Sequence, residues 1–558
     1  MGNNEFKLTK LALALGVTLS LSGCLSDDDK NDTVPEPPTP TVEAPVADTP
    51  EALGFYVTMS VVDEETFETL PATVQFYEGT DLSENITDLS GTSIAESIST
   101  ESGTFSFKLA SDISELKVVV TPTSDEYEPT SSILDLSDAD SSEVFNSLIQ
   151  LTNFSAVSKG DTTKSASSGN LSEAIDLSVD SDLGGTGVTI GTDVLLQDAN
   201  NETIGDGDVT LSVKTADVDA APGKKDAISL IPEGVNNDST GTVKLPVAFS
   251  NIVMKAGDAK VKNFTPNISI TSKVPSTVNG LAVSPGDVLN VSSYNEDTGE
   301  WKVEDNVTVA ADNSVEISTN HLSGWGLFSS RQGMTVSPTI TLNRIIPGPI
   351  SYRFWTPQFR YHRTVSSLTS FPIFSRLPYL HGAPSTFDNL NLTIRNFSGD
   401  IIRTQTITGL AGGQNVNVNI PTTYTTTSKD FKVTYTCSNA EVDTTKQFAF
   451  TGAEVKYSKY NETSESVVGA PTSATESSTN GGTYNLQSLV SGSKYQVSFT
   501  PLGSDDLISI GTQNFIVDLT DDSSFTVNID RNNCVTEEVP VTGGTGGTGG
   551  TGGSGNGG

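Results

Sequence analysis

Histidine is almost missing from this chain, with three residues in 558. That leaves little for a hydrolytic zinc centre, and no His-Glu-x-x-His run is present. Cysteine is as rare, again three residues, and none lies in a Cys-x-x-Cys-His run, which excludes c-type haem attachment. Positive charge is short: 31 Lys and Arg stand against 69 Asp and Glu, for a net charge of −38. Such a surface repels polyanions, so nucleic acid is excluded as a partner. No Gly-x-Ser-x-Gly elbow, Walker loop or Rossmann fingerprint set between a strand and a helix pattern occurs. Beyond residue 21 no apolar run is long enough to cross a bilayer as a helix.

What is present begins at the N-terminus. Lys7 and Lys10 precede an apolar run from Leu11 to Leu21, and Leu21-Ser22-Gly23-Cys24 closes it. This is the order of a secretory signal, with an h-region too short for a spanning helix. The tetrad resembles the lipobox of bacterial lipoproteins. The resemblance implies removal of residues 1–23, acylation of Cys24 and a membrane partner reached through lipid, since two or more acyl chains anchor stably. Leu25 stands where relatives retained in the inner membrane carry Asp, so the expected location is the outer membrane. Residues 24–53 read as a tether, rich in Asp and in prolines such as Pro35, Pro37, Pro38 and Pro40.

From Gly54 onward, short alternating runs separated by turn clusters predict an all-β chain of tandem β-sandwiches. Phe55, Val57, Met59 and Val61 alternate, as do Phe105, Phe107 and Leu109. A helical turn is expected only near residues 142–149. Residues 54–155 contain Val62-Asp63-Glu64-Glu65-Thr66, Leu70-Pro71-Ala72-Thr73-Val74 and Ser102-Gly103-Thr104-Phe105-Ser106-Phe107. They resemble the carboxypeptidase regulatory-like domain, a transthyretin-type sandwich that serves as a spacer or binding module. Phe67 and Ala72 depart from that family's pattern, which has Gly at both places. A Ser/Gly/Lys-rich stretch, 158–169, is expected to separate this unit from a second at 170–330. A third spans 334–440. A fourth, 448–534, repeats the grammar of the first through Asn480-Gly481-Gly482-Thr483-Tyr484 and resembles a diverged regulatory-like domain. Residues 540–558 are a flexible Gly/Thr tail.

Three places could carry chemistry. Gly184-Gly185-Thr186-Gly187-Val188-Thr189-Ile190, then Trp301, then His321-Leu322-Ser323-Gly324-Trp325 resemble the ZU5 and GAIN sandwiches. Self-cleaving members of those families break the chain after the middle residue of such a triplet. The resemblance casts His321 as base and Ser323 as nucleophile at the Leu322–Ser323 bond. A serine hydroxyl needs a base to become nucleophilic, and a strained peptide to drive the acyl shift. The paired cysteines that brace the self-cleaving GAIN motif are absent, and many such sandwiches never cut. Next, Arg353, Arg360 and Arg363, interleaved with Trp355 and Tyr361, lie in an arginine-rich segment running from Arg344 to Arg403. Such a segment suits either an anionic polysaccharide or neutralisation of the chain's own carboxylates. Finally, Asp135, Asp138, Asp140 and Glu143, and Asp198, Glu202, Asp206 and Asp208, could hold Ca²⁺ or serve as solvated turns, and they lack EF-hand spacing. No other metal or cofactor is expected. With Cys24 assigned to lipid, Cys437 and Cys534 remain as a disulfide pair, worth about 4–5 kcal/mol on the chain-entropy account.

These readings converge on a non-enzymatic outer-membrane lipoprotein displaying tandem β-sandwiches for adhesion, surface structure or glycan contact. The alternatives are a self-cleaving or glycan-active protein, and a docking part of an envelope assembly whose partner is another envelope protein.

Overall fold

The computed structural model describes residues 51–531, apart from 111–112, 137–143, 219–224, 237–241, 279–280, 334–337, 358, 370, 373–385, 439–445, 504–506, 508 and 520–523. The tail, Cys24, Cys534 and the tether before Glu51 therefore lie outside the described residues. Within them the chain is all-β. Described helix comprises Ala227–Leu230, a 3-10 turn at Phe154–Ala156 and the single residue Leu507, and among the described residues no helix is long and apolar enough to cross a membrane.

The first sandwich opens with Val57–Asp63, whose alternate residues Val57, Met59 and Val61 point into a core with Phe76, Phe107, Val118 and Val120. This strand pairs antiparallel with Thr104–Leu109 and parallel with Phe145–Leu151. Ala72–Glu78, Glu115–Pro122 and Thr130–Asp135 form the facing sheet. Residues 145–149, where a helical turn was expected, are thus strand, each with a parallel partner in Val57–Val61, and that pairing outweighs their local pattern.

The fourth sandwich follows the same plan. Thr426–Cys437 pairs antiparallel with Thr483–Val490 and parallel with Ser524–Arg531, while Ala453–Asn461, Lys494–Pro501 and Gln513–Asp518 form the opposite sheet. The opening strand of this unit therefore lies before the expected boundary at 440. Phe431, Val433 and Tyr435 face the last core rather than the third. The repeat extends to single glycines. Gly103 (φ +72°) and Gly482 (φ +70°) each open a strand against neighbouring backbone, where a Cβ would lie 2.6 Å from Leu70 N and 2.7 Å from Phe450 N respectively.

The third unit also has its first and last strands, Thr339–Leu342 and Asn415–Val418, paired in parallel. Its second sheet contains Ile346–Thr356, Phe359–Leu368, Thr386–Asn396 and Ile401–Ala411. The second unit differs, being built from one continuous set of paired strands that folds over its own core. Ser158–Ser167, expected as a separator, is one of those strands and pairs along its length with Gly207–Asp217. Backbone pairing suffices there, without an apolar face.

The first sandwich is also where its neighbours meet. Thr58 and Asn146 bond Ser473 of the fourth unit, and Gln150 donates to Ser351 of the third. Lys225 of the second reaches Glu64 at 2.7 Å. A small apolar cluster of Val62, Phe67, Leu148, Phe397 and Ala470 joins the first, third and fourth. Phe67, in a place where the regulatory-like family has Gly, takes the left-handed conformation (φ +62°). That conformation costs a side-chain-bearing residue about 1–2 kcal/mol, and burial of the ring to 1% exposure offsets it.

Candidate functional site

The second unit positions His321 and Ser323 at a change of sheet neighbours. Ser314–His321 pairs with Asn263–Lys273, whereas the next strand, Gly324–Gln332, lies between Thr242–Ala256 and Val288–Asn295. Leu322 and Ser323 make the crossing, and both are buried. Leu322 N–H donates to the Lys262 carbonyl at 3.0 Å, and the Ser323 carbonyl accepts from Ile252 N–H at 3.4 Å.

A third residue, which the sequence reading did not single out, completes the arrangement. His321 Nδ1 lies 3.2 Å from Ser323 Oγ, and its Nε2 lies 3.1 Å from Glu304 Oε1. Glu304 belongs to Glu300–Thr308, an edge strand paired with Val288–Asn295. Val291 opposes Asp305 while Ser292 opposes Val303, so Glu304 is the extra residue of a β-bulge. A bulge re-aims a side chain that strict alternation would direct elsewhere. Ser293 Oγ donates to Glu304 Oε1 at 2.7 Å, and Lys302 Nζ lies 3.0 Å from Oε2, so both carboxylate oxygens are held.

Trp325 stacks on the imidazole with ring centroids 5.0 Å apart. Burial lowers the His321 pKa, and the Glu304 carboxylate opposes that only in part. The ring is consequently a free base near neutrality. Glu304 is itself lowered, because hydrogen bonds from Ser293 and Lys302 overcome its burial. A charged carboxylate, a neutral imidazole and a hydroxyl in line are the parts of a nucleophile-activating triad, recognised by geometry rather than by order in the chain. The strain that self-cleavage calls for does not take the form of a left-handed residue, since none of His321, Leu322 and Ser323 has positive φ.

The arginine-rich segment behaves differently from an open anion site. Arg353 and Arg360 lie 3.2 and 3.0 Å from Glu64, a carboxylate 2% exposed, and Arg363 lies 2.8 Å from Asp135. Burial would raise the Glu64 pKa, but Arg360, Arg353 and Lys225 pull it down to about 2. Tyr361 is a core residue, 6.0 Å from Tyr352 and stacked at 6.4 Å on Phe354. Trp355 is half-buried, with the Arg353 guanidinium 5.8 Å from its ring centroid. Of the two readings of this segment, these contacts are those of neutralisation of the chain's own carboxylates. Buried carboxylates of the first sandwich engage these three cations.

The described acidic loops use their carboxylates locally. Asp198 accepts from Asn200 and Glu202 N–H groups, Asp206 from Ser167 and Ser168, and Asp208 from Ser165. Asp138, Asp140 and Glu143 lie outside the described residues. Among the described residues no group of three or more His, Cys, Asp or Glu is placed to hold a metal ion. Cys437 is buried and disulfide-bonded.

No family model matches the chain, and no curated protein matches it in sequence. Among solved structures, it is similar to a minor pilin of Streptococcus agalactiae (12% identity, 37% of this chain and 99% of that one, TM-score 0.17). It is also similar to the major pilin subunit of Bacillus cereus (10% identity, 86% and 99%, TM-score 0.13). A pilus adhesin of Lactobacillus rhamnosus GG gives 10% identity over 67% of this chain and 54% of that one, with a TM-score of 0.14. At such scores the likenesses carry no inference about activity.

Proposed function

We propose that this chain is a lipid-anchored structural protein of the bacterial outer envelope, built from tandem β-sandwiches of which the first and fourth are regulatory-like and the second ZU5/GAIN-like. The observation that carries the structural part is the Glu64 cluster. One buried carboxylate accepts Arg353, Arg360 and Lys225, which come from two neighbouring sandwiches. A body braced in this way suits load-bearing or display at a surface better than turnover of a substrate. With those arginines engaged internally, the partner we favour is another envelope protein rather than an anionic polysaccharide. The Leu21-Ser22-Gly23-Cys24 tetrad supports the anchor. Cys24→Ala should move the protein from the detergent phase to the soluble fraction; retention in membranes would reject the anchor. Crosslinking of the acylated protein in native membranes should capture a recurring protein neighbour, and capture of glycan alone would reverse the preference.

A second reading is favoured by the Glu304–His321–Ser323 arrangement: one self-cleavage at Leu322–Ser323. His321 Nδ1 takes the Ser323 hydroxyl proton as Oγ attacks the Leu322 carbonyl carbon. The Leu322–Ser323 C–N bond breaks, the departing nitrogen receives that proton, and an ester joins Leu322 to Ser323 Oγ. Water then hydrolyses the ester to a Leu322 carboxylate and a free Ser323. Two fragments on a denaturing gel, merged into one band by Ser323→Ala, are the expected result. A single wild-type band would reject it.

A further inference from the structure

We propose that Glu304 is the positioning residue of this site, fixing His321 in the tautomer whose Nδ1 lone pair accepts the Ser323 hydroxyl. Its use in cleavage rests on the second reading above; the tautomer itself does not. An ionised carboxylate can only accept, so the 3.1 Å contact to Glu304 Oε1 requires the proton on Nε2. In a neutral imidazole Nδ1 is then an acceptor, and the 3.2 Å contact to Ser323 must run from Oγ–H to Nδ1. With the opposite tautomer, Nδ1–H would donate to Ser323 Oγ, and the hydroxyl would have no base.

The groups around Glu304 and the ring fit this assignment. Ser293 and Lys302 pin the carboxylate, and the Trp325 face holds the plane of the imidazole. The charged groups acting on His321 are Glu304, which favours its protonation, and Lys302 and Lys262, which oppose it. The bulge at Glu304 matters because regular pairing through Val291–Ser292 would leave no extra residue to turn toward the ring.

The test uses the full-length protein labelled with ¹⁵N-histidine. Only three histidines are present, so ring signals are few, and His321→Gln identifies the one of interest. Wild type should show neutral His321 protonated at Nε2. In Glu304→Gln, Lys302 can only donate and so holds the amide oxygen at the Oε2 position; the amide NH2 then faces Nε2 and donates to it, so the proton should move to Nδ1. Any cleavage rate should then fall by on the order of 10²–10⁴-fold, as expected for a triad trapped in the wrong tautomer. Glu304→Asp should retain the Nε2–H form. Wild-type protein protonated at Nδ1 would overturn the assignment even if no variant folds. So would Glu304→Gln that leaves the tautomer unmoved, or that cleaves at the wild-type rate. An intact wild-type chain with Nε2–H would reject self-cleavage and leave the assignment standing.

Discussion

The opening strand of the first sandwich, Val57–Asp63, is buried at all seven positions, whereas its counterpart in the fourth, Thr426–Cys437, leaves Asp430 and Lys432 exposed on either side of buried Phe431. Both strands hold the same place in the same plan, with one antiparallel and one parallel neighbour. The difference lies in the outward residues. Thr58 and Ser60 are small hydroxyls satisfied by Ser106, Ser473 and Thr104. They can be covered by another sandwich at little desolvation cost, while Asp430 and Lys432 cannot. The fold plan is thus shared, and the outward face decides which copy becomes the junction.

The largest expected effect falls on the junction. Glu64→Gln leaves Arg353, Arg360 and Lys225 without their shared carboxylate and should cost about 3–5 kcal/mol in chemical denaturation. The exposed Lys494–Glu462 pair of the fourth sandwich provides the contrast. Equal losses at the two sites would break the comparison.

Acid should act at the same point. A carboxylate held at about 2 in the folded chain, against an ordinary 4.5, contributes stability above its unfolded pKa, and loses it as pH falls toward about 2. The shift corresponds to about 3 kcal/mol. Unfolding followed between pH 5 and 2 should lose that dependence in Glu64→Gln. An unchanged acid limb would assign the stability to other carboxylates.

Gly103→Ala and Gly482→Ala test the shared plan. Each places a Cβ against backbone in a left-handed residue, so each should cost about 2–4 kcal/mol, and the two losses should match within about 1 kcal/mol. Tolerance at one site alone would mean that the two turns are not equivalent.

At Phe67 the usual order of Ala and Gly should invert. Both substitutions lose the buried ring, but at φ +62° Phe67→Gly should be more stable than Phe67→Ala by about 1 kcal/mol in thermal melts. The smallest effect is expected at Glu462→Gln, with no resolvable shift in the melt, because Glu462 is exposed and its pair with Lys494 is screened by solvent.

Much of this could be read from residues close together in the chain. Val57, Met59 and Val61 announce a strand by alternation, and Gly103 and Gly482 mark the repeated turn. His321 and Ser323, two residues apart, suggest a base and a hydroxyl directly. Glu304 was hidden for two reasons: it is one acid among 69, and the bulge removes it from the alternation that would have placed it. Arg353 and Glu64 are 289 residues apart, and nothing local identifies their pairing. The third copy of the plan was obscured because the strands that close it, Thr339–Leu342 and Asn415–Val418, are only four residues long. Phe67 was visible as a departure from the glycine of the family that the segment resembles. Its reason, a ring shared with Leu148, Phe397 and Ala470, exists only in the folded chain.

The parallel pairing of first and last strands has a mechanical meaning for a chain held at one end. The polypeptide enters such a sandwich at one end of the paired strands and leaves at the opposite end. A pull between the two therefore slides the strands past each other, loading their hydrogen bonds together rather than opening them in turn. Seven residue pairs share that load in the first sandwich, eight in the fourth and four in the third. Under tension the third should slip first, extending the chain while the first and fourth still hold.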